Sequence, residues 1–282
     1  MKDSLPPLRD VIDHYDLRAK KSLGQNFLLD LNVTRKIARY ANARPMVPFV
    51  EVGPGPGGLT RGLLMEGVDQ LLVLERDERT KPILAQISQS YPGRVTSVFN
   101  DALKFDWASL TPQPYEIVSN LPYNIGTVLL THWLSMPWPP VFSALTLMFQ
   151  EEVAERIVAA PGSKAYGRLS VLANWRCETE ILYRLPRDAF TPPPKITSAV
   201  VSLIPKQRLS FEPSVETLSR VTAAAFGQRR KMLRASLKTL GCDVPALLDK
   251  VGIDPTVRAE TLPWQDFCRI ALALEGAPSN FH

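Results

Sequence analysis

Between residues 48 and 160 the chain alternates short apolar runs with longer stretches of helical spacing. PFVEVG (48–53), QLLVLER (70–76), RVTSVF (94–99), YEIVSN (115–120) and FSALTLMF (142–149) read as strands, the first of them, an apolar run stopped by glycines, as a buried one. Residues 59–67, 78–90, 126–135 and 151–160 place apolar side chains at three- and four-residue steps and read as helices. Val33, Ile37, Ala38 and Ala41 predict another helix over 31–43. Strands alternating with helices of about ten residues predict βαβ units and a mostly parallel sheet covered on both faces. After 160 the pattern changes. CETEILYRL (177–185) and SAVVSLIP (198–205) read as antiparallel additions flanking the Pro-rich FTPPPK (190–195). Beyond about 206 every apolar period is helical: 214–226, 228–240, 244–251 and 263–274, punctuated by Gly241, Gly252 and Pro255. The expected organisation is an α/β domain over 1–205 and a small all-helical domain over 206–282.

Composition narrows this picture a little. The 282 residues carry 33 Lys+Arg against 28 Asp+Glu, a formal charge of +5. That surplus suits a polyanionic partner without requiring one. No apolar run reaches the roughly 18–20 residues of a bilayer crossing, so no membrane partner is expected. Cys177, Cys242 and Cys268 are far apart, as are His14, His132 and His282, so neither a disulfide framework nor a metal site is expected. The start, MKDSLPPLRDVIDHYDLRAKK, has no apolar signal region, and Asp3, Asp10, Asp13 and Asp16 argue against a transit peptide. A reducing, cytoplasmic setting and a monomer are the expectations.

The chemistry begins at VEVGPGPGGLT (50–60), a strand, a glycine-rich turn and a helix. Gly53, Gly55 and Gly58 satisfy the GxGxxG dinucleotide fingerprint. Glu51, Gly53, Gly55 and Gly57 equally satisfy the looser acidic-x-GxGxG pattern of S-adenosylmethionine (SAM) methyltransferases. Glycine alone does not choose between them, and a plain tight turn is the blander alternative. The prolines help. A pyrophosphate wants backbone N–H donors, and Pro54 and Pro56 offer none. Glu75 ends the second strand of the series, where a carboxylate accepts both ribose hydroxyls. Asp101 follows the third, where it can accept from an adenine amino group or cap a helix. Together they predict a Rossmann-like, SAM-dependent methyltransferase fold, with S-adenosylhomocysteine as product.

Asn120-Leu121-Pro122-Tyr123 closes the fourth strand. Amino-methyltransferases acting on nucleobases place an (N/D)PPY-like segment there. The lone pair of adenine N6 is delocalised into the ring. Acceptors on its N–H bonds, here the Asn120 side-chain oxygen and the Leu121 carbonyl, free that lone pair for attack. Pro122 stiffens the turn and Tyr123 offers a stacking face. Positioning and electrostatics then suffice, without a strong base.

At this point the sequence resembles the small-subunit ribosomal RNA adenine N6,N6-dimethyltransferase family. The resemblance runs from about 18 to 270 through nine blocks in order. They are AKKSLGQNFLLD (19–30), VEVGPGPGGLT (50–60), VLERD (73–77), NDALKF (100–105), NLPYNI (120–125), KAYGRLSVL (164–172), FTPPPKITSAV (190–200), FGQRRKMLRASL (226–237) and GIDPTVRAE (252–260). It implies SAM contacts at Asn26, the Leu28 backbone, Gly53, Glu75, Asp101 and Asn120, and a target base held between Tyr123 and Phe190. It also implies two adjacent adenosines near the 3′ end of small-subunit rRNA as substrate, in the assembling subunit. Asn100 stands where family members often carry Gly or Gln, and Pro56 where they vary. Enzymes that methylate large-subunit RNA and confer macrolide resistance usually carry NIPY. Leu121 and the full FTPPPK favour the small-subunit branch. A ribosome-assembly or transcription factor without chemistry is a further alternative, disfavoured by intact Asn120 and Tyr123. So is a nicotinamide-dependent oxidoreductase, which predicts dinucleotide binding.

Residues 217–242 hold Arg220, Arg229, Arg230, Lys231, Arg234 and Lys238 and no acid. On one helix, Phe226, Leu233, Leu237 and Leu240 would share a face, with Lys231, Arg234 and Lys238 on another. A solvated face is the usual outcome of such a stripe. The lack of acids points instead to RNA phosphates, with Arg18, Lys20 and Lys21 as a smaller second cluster.

Overall fold

The structure is a computed structural model, and it describes residues 5–17, 26–42, 46–207 and 212–276. Nine strands are present among them: β1 (Phe27–Leu28), β2 (Pro48–Val52), β3 (Gln70–Glu75), β4 (Val95–Phe99), β5 (Tyr115–Ser119), β6 (Phe142–Gln150), β7 (Cys177–Leu185), β8 (Phe190–Thr191) and β9 (Ser198–Pro205). Seven form one sheet in the order β4-β3-β2-β5-β6-β9-β7. The neighbours from β4 through to β6 are all parallel, and β9 lies antiparallel on β6. β2, read as a buried strand, is buried at all but Pro48, and β5 is buried at every position, whereas β4 is buried only at Val95. An antiparallel strand between the fifth and last positions sets this sheet apart from the 3-2-1-4-5-6 order of dinucleotide-binding folds.

The chain packs as two compact units. The first comprises Met1–Trp133, Pro140–Ala154 and Glu180–Pro205. Its core joins the inward faces of β2 and β3 to helices Leu31–Tyr40, Gly58–Met65 and Lys81–Ser90, through Phe49, Val73, Ile37, Leu63 and Leu84. The second comprises Leu134–Pro139, Glu155–Thr179 and Lys206–His282. Helices Val215–Gly227 and Trp264–Leu274 bring Val221, Ala225, Phe267 and Ile270 into its separate core. Phe226 lies against Phe267 with ring centroids 5.4 Å apart, and Tyr166 meets Phe226 edge-on at 5.9 Å.

Several expectations change. The helix expected over 126–135 begins at Tyr123, directly after the Pro122 turn. Residues 8–14 and 168–176, left without assignment by the apolar pattern, are helical. The helix expected over 228–240 is not continuous: residues 228–232 form a turn, followed by a short α-helix, Leu233–Ser236, and a 3-10 turn, Leu237–Leu240. The new helix start takes its acceptors from another segment. Leu233 N–H donates to the Val257 carbonyl at 2.7 Å and Arg234 N–H to that of Pro255 at 3.0 Å. Helix N-termini leave such donors unsatisfied, and the loop within GIDPTVRAE supplies what a continuous helix would have supplied internally.

Candidate functional site

Four strand ends converge. Gly53 follows β2, Glu75 ends β3, Asp101 lies beyond β4 and Asn120 follows β5. These strands are parallel neighbours, so their carboxyl ends share one edge of the sheet. The chain leaves β2 toward β3 on one side and later returns to β5 on the other. Such a switch of direction opens the crevice in which α/β sheets bind ligands. Ser119 Oγ donates to the Val52 carbonyl and ties the ends of β5 and β2 together at the crevice floor.

One cavity there is lined by Asn26, Leu28, Glu51, Gly53, Gly55 and Glu75 on the loop side and by Asn120 to Tyr123 on the other. A second shares Gly53, Glu75, Leu121 and Pro122 and adds Asp101. Every residue that the sequence nominated for the cofactor therefore lines one of the two cavities. Phe190 lines neither. It is 1% exposed, paired with Leu28 across the β1–β8 ladder, and packed in the core of the first unit. In this position the ring is a core residue ahead of the Pro-rich loop, not a wall of either cavity as the resemblance implied.

The loop's geometry requires glycine. Gly53 and Gly55 have φ of +68° and +52°. An ideal Cβ on Gly58 would stand 2.3 Å from the Leu28 carbonyl oxygen, so only glycine lets β1 approach the helix start. The N–H groups of the loop are already used. That of Gly53 donates to the Leu74 carbonyl at 2.8 Å, that of Gly55 to Glu75 Oε2 at 3.1 Å, and that of Gly57 to the Pro54 carbonyl at 2.9 Å. Pro54 and Pro56 have none. From 53 to 57 no backbone donor is left for a phosphate. What remains are acceptors, which suit hydroxyls, amino groups and a positive charge.

Each acceptor is held differently. Glu75 Oε1 accepts from the N–H groups of Arg76 at 2.7 Å and Asp77 at 2.8 Å, which orient the carboxylate while its oxygens keep spare lone pairs. Burial raises its pKa, against those backbone hydrogen bonds. Glu51 is buried in β2 and accepts from Thr60 Oγ1 at 2.6 Å. Burial pushes its pKa up to about 8, and the Glu75 charge adds to the rise. Asp101 accepts from the Leu103 N–H at 3.0 Å, the cap-like bond foreseen as its alternative, and Arg76 stands 3.7 Å away. Asn120 Nδ2 donates to the Asn26 carbonyl at 3.2 Å. Among the described residues, its side-chain oxygen has no hydrogen-bond partner. Tyr123 Oη lies 2.5 Å from Ser198 Oγ, and burial raises the Tyr123 pKa, so the phenol stays neutral at ordinary pH. The sequence reading missed Thr60, Ser119 and Ser198. Ser119 and Ser198 act by contacts 67 and 75 residues away in sequence, and Thr60 reaches Glu51 across the glycine loop, so neither spacing nor type marked them.

The basic residues divide. Arg230, Lys231, Arg234 and Lys238 are exposed. Arg229 is taken up structurally: its guanidinium pairs with Glu260 at 2.8 Å and donates to the Lys164 carbonyl at 2.8 Å. The absence of acids in the local sequence had hidden this partner. Arg18, Lys20 and Lys21 lie outside the described residues. Among the described residues no three His, Cys, Asp or Glu side chains form a metal-binding group, and no helix is long and apolar enough to cross a membrane.

Residues 16–275 match the family described as ribosomal RNA adenine dimethylase. A protein of Paracoccus denitrificans named ribosomal RNA small subunit methyltransferase A is 58% identical over 280 residues, 98% of either chain. One of the same name from Cereibacter sphaeroides is 56% identical over 97% of this chain and 99% of its own. Among solved structures, a dimethyladenosine transferase from Plasmodium falciparum shares the fold, with TM-score 0.73 and 24% identity over 88% of this chain and 96% of that one. The 23S rRNA methyltransferase ErmE aligns with TM-score 0.66 and 26% identity over 89% of this chain and 100% of its own. The agreement with the curated relatives runs through nearly the whole of each chain, and the protein belongs to the ribosomal RNA adenine dimethylase family.

Proposed function

We propose that the protein transfers methyl groups from S-adenosylmethionine to N6 of two adjacent adenosines near the 3′ end of small-subunit rRNA, in the cytoplasm, during subunit assembly. The observation that carries this reading is the set of Asn120. Its NH2 group is engaged by the Asn26 carbonyl, so its oxygen is the atom left for an incoming amino group. The residues present fit the cofactor, because the loop from 53 to 57 keeps no donor for a pyrophosphate while carboxylates crowd its rim. Glu75 would hold the ribose hydroxyls and Asp101 the adenine amino group. Asn26, the Leu28 backbone, Glu51, Gly53 and Gly55 would enclose the rest. Bound S-adenosylmethionine supplies an electrophilic methyl group on a sulfonium sulfur.

The chain's own residues prepare the nucleophile. Asn120 Oδ1 and the Leu121 carbonyl accept the N6–H bonds and draw the lone pair out of conjugation. Pro122 holds those acceptors in a stiff turn, and Tyr123 stacks on the extruded base. A neutral phenol and an amide cannot act as strong bases, so positioning and electrostatics carry the rate. Phe190 would form the opposite wall only after leaving its core position. Exposed Arg230, Lys231, Arg234 and Lys238 would bind phosphates, and the basic side chains of Arg18, Lys20 and Lys21 would add to that affinity. The test is methyl transfer to small subunits lacking the modification, with mass spectrometry of the nucleosides. N6,N6-dimethyladenosine in small-subunit RNA is expected. Transfer to large-subunit RNA alone would overturn the substrate and favour the second reading, to which the likeness to ErmE lends support.

A further inference from the structure

We propose that Ser198 is a positioning residue for methyl transfer, setting the tilt of the Tyr123 ring through the hydrogen bond between their hydroxyls. The proposal rests on the reading of Tyr123 as the stacking face for the target base. Tyr123 begins its helix immediately after the Pro122 turn and lines the cavity. A ring at that place has two soft torsions. A stacking surface works only if both are held, because the base inherits the ring's tilt, and N6 inherits the base's position.

The described structure offers one polar tether at the far end of the ring, the 2.5 Å contact to Ser198 Oγ. Ser198 is suited to hold it. The residue is fully buried at the start of β9, in register with Gln150 of β6. The preceding carbonyl, of Thr197, accepts from the Glu151 N–H at 2.9 Å. The serine therefore opens β9 opposite the last residue of β6, next to a backbone bond that ties Thr197 to Glu151 directly after β6, and its hydroxyl position is that of the sheet rather than of a loop. Pinning the phenol there couples the stacking face to the same sheet in which β5, the parallel neighbour of β6, leads directly into Asn120. Acceptor and stacking face are then referred to one rigid frame, which is what a near-attack geometry needs. The contact also gives the FTPPPKITSAV block a route to the site, through its ninth residue rather than its buried first one, Phe190.

The experiment compares wild type with Ser198→Ala, Ser198→Thr, Tyr123→Phe and the Ser198→Ala/Tyr123→Phe pair. Each is assayed for kcat and KM on unmodified small subunits and for S-adenosylhomocysteine affinity by calorimetry. Ser198→Ala is expected to lower kcat about tenfold, by loss of one hydrogen bond and a displaced ring. Its cofactor affinity should stay within about twofold of wild type and its RNA KM should change little. Ser198→Thr, which keeps the hydroxyl, should recover most of the rate, and the double variant should be no slower than the slower single. A wild-type kcat in Ser198→Ala, or losses that multiply in the pair, would overturn the proposal. So would an equal loss in Ser198→Thr with the fold intact by circular dichroism. A second readout needs no turnover: with ring-13C tyrosine, Ser198→Ala should move the Tyr123 Cζ resonance and leave the other six tyrosines in place. An unmoved Tyr123 signal would also overturn it. If wild type methylates large-subunit RNA instead, the substrate reading fails, and the same variants are compared on that RNA with the same expected ratios.

Discussion

The strand-end crevice and the basic surface of the helical unit were both nominated from sequence, and the structure treats them differently. In the crevice, all the nominated cofactor residues and Asn120 to Tyr123 line adjoining cavities. On the helical unit, the stripe is cut by a turn at 228–232, and Arg229 is consumed by Glu260 and the Lys164 carbonyl. The contrast has a physical source. A residue at the end of a parallel strand is placed by the strand itself. A surface charge is placed by its own flexible side chain and by whichever opposite charge the fold brings near. Position along the chain therefore predicts the first far better than the second.

The largest expected effect tests whether the two regions separate chemistry from affinity. Asn120→Ala should slow methyl transfer by about 10²–10³-fold, the scale for removing one preorganised polar group at the reacting atoms, with RNA affinity nearly unchanged. Single-turnover rates and filter binding measure both, and an equal loss in each would erase the distinction. Next comes the division within the basic surface. Replacing Lys231, Arg234 and Lys238 together by Ala should weaken RNA binding about tenfold or more. It should flatten the dependence of log K on log salt by about 2–3 units, as loss of three phosphate contacts requires. Arg229→Ala should leave that slope alone and instead cost about 1 kcal/mol of stability in urea unfolding. A salt slope altered by Arg229→Ala would return it to the RNA-binding set.

The last prediction concerns Glu51, whose variant is expected to leave RNA affinity unchanged and to alter the pH dependence of stability. Its folded pKa of about 8 lies above the unfolded value, so the folded state holds a proton that the unfolded state releases between about pH 4.5 and 8. Its contribution to stability is present in acid and is lost as the pH rises through that window. Glu51→Gln mimics the protonated side chain and should flatten the fall in melting temperature between pH 5 and 8. Glu75, shifted the same way, should leave a residual slope. An unchanged pH profile in the variant would mean that Glu51 is ionised in the folded protein.

Much of the fold was legible because strand and helix periods are local. The runs at 48–53, 70–76, 94–99, 115–120 and 142–149 became the five strands β2 to β6. The errors came where locality fails. The apolar positions at 226, 233, 237 and 240 do face one core, but from two segments with a turn between them, since packing into a common interior imposes similar spacing without a continuous helix. The two-residue ladder of β1 with β8 was invisible, because its paired members, Phe27 with Thr191 and Leu28 with Phe190, come from opposite ends of the first unit's sequence and pair through backbone alone.

The site divides along the same line. Glycines, strand-end carboxylates and the Asn-Leu-Pro-Tyr turn were recognisable from residue type and order alone, because each does its work within a few residues of its own strand. Only the tertiary structure could show that the loop's N–H groups are spent on Leu74, Glu75 and Pro54, or that Asn26 orients Asn120 from 94 positions away. It alone placed Phe190 in the core and brought Ser198 to the Tyr123 hydroxyl. A hydrogen bond between distant segments depends on how the whole chain closes. Residue identity sets which groups can bond, and the packed fold decides which of them meet.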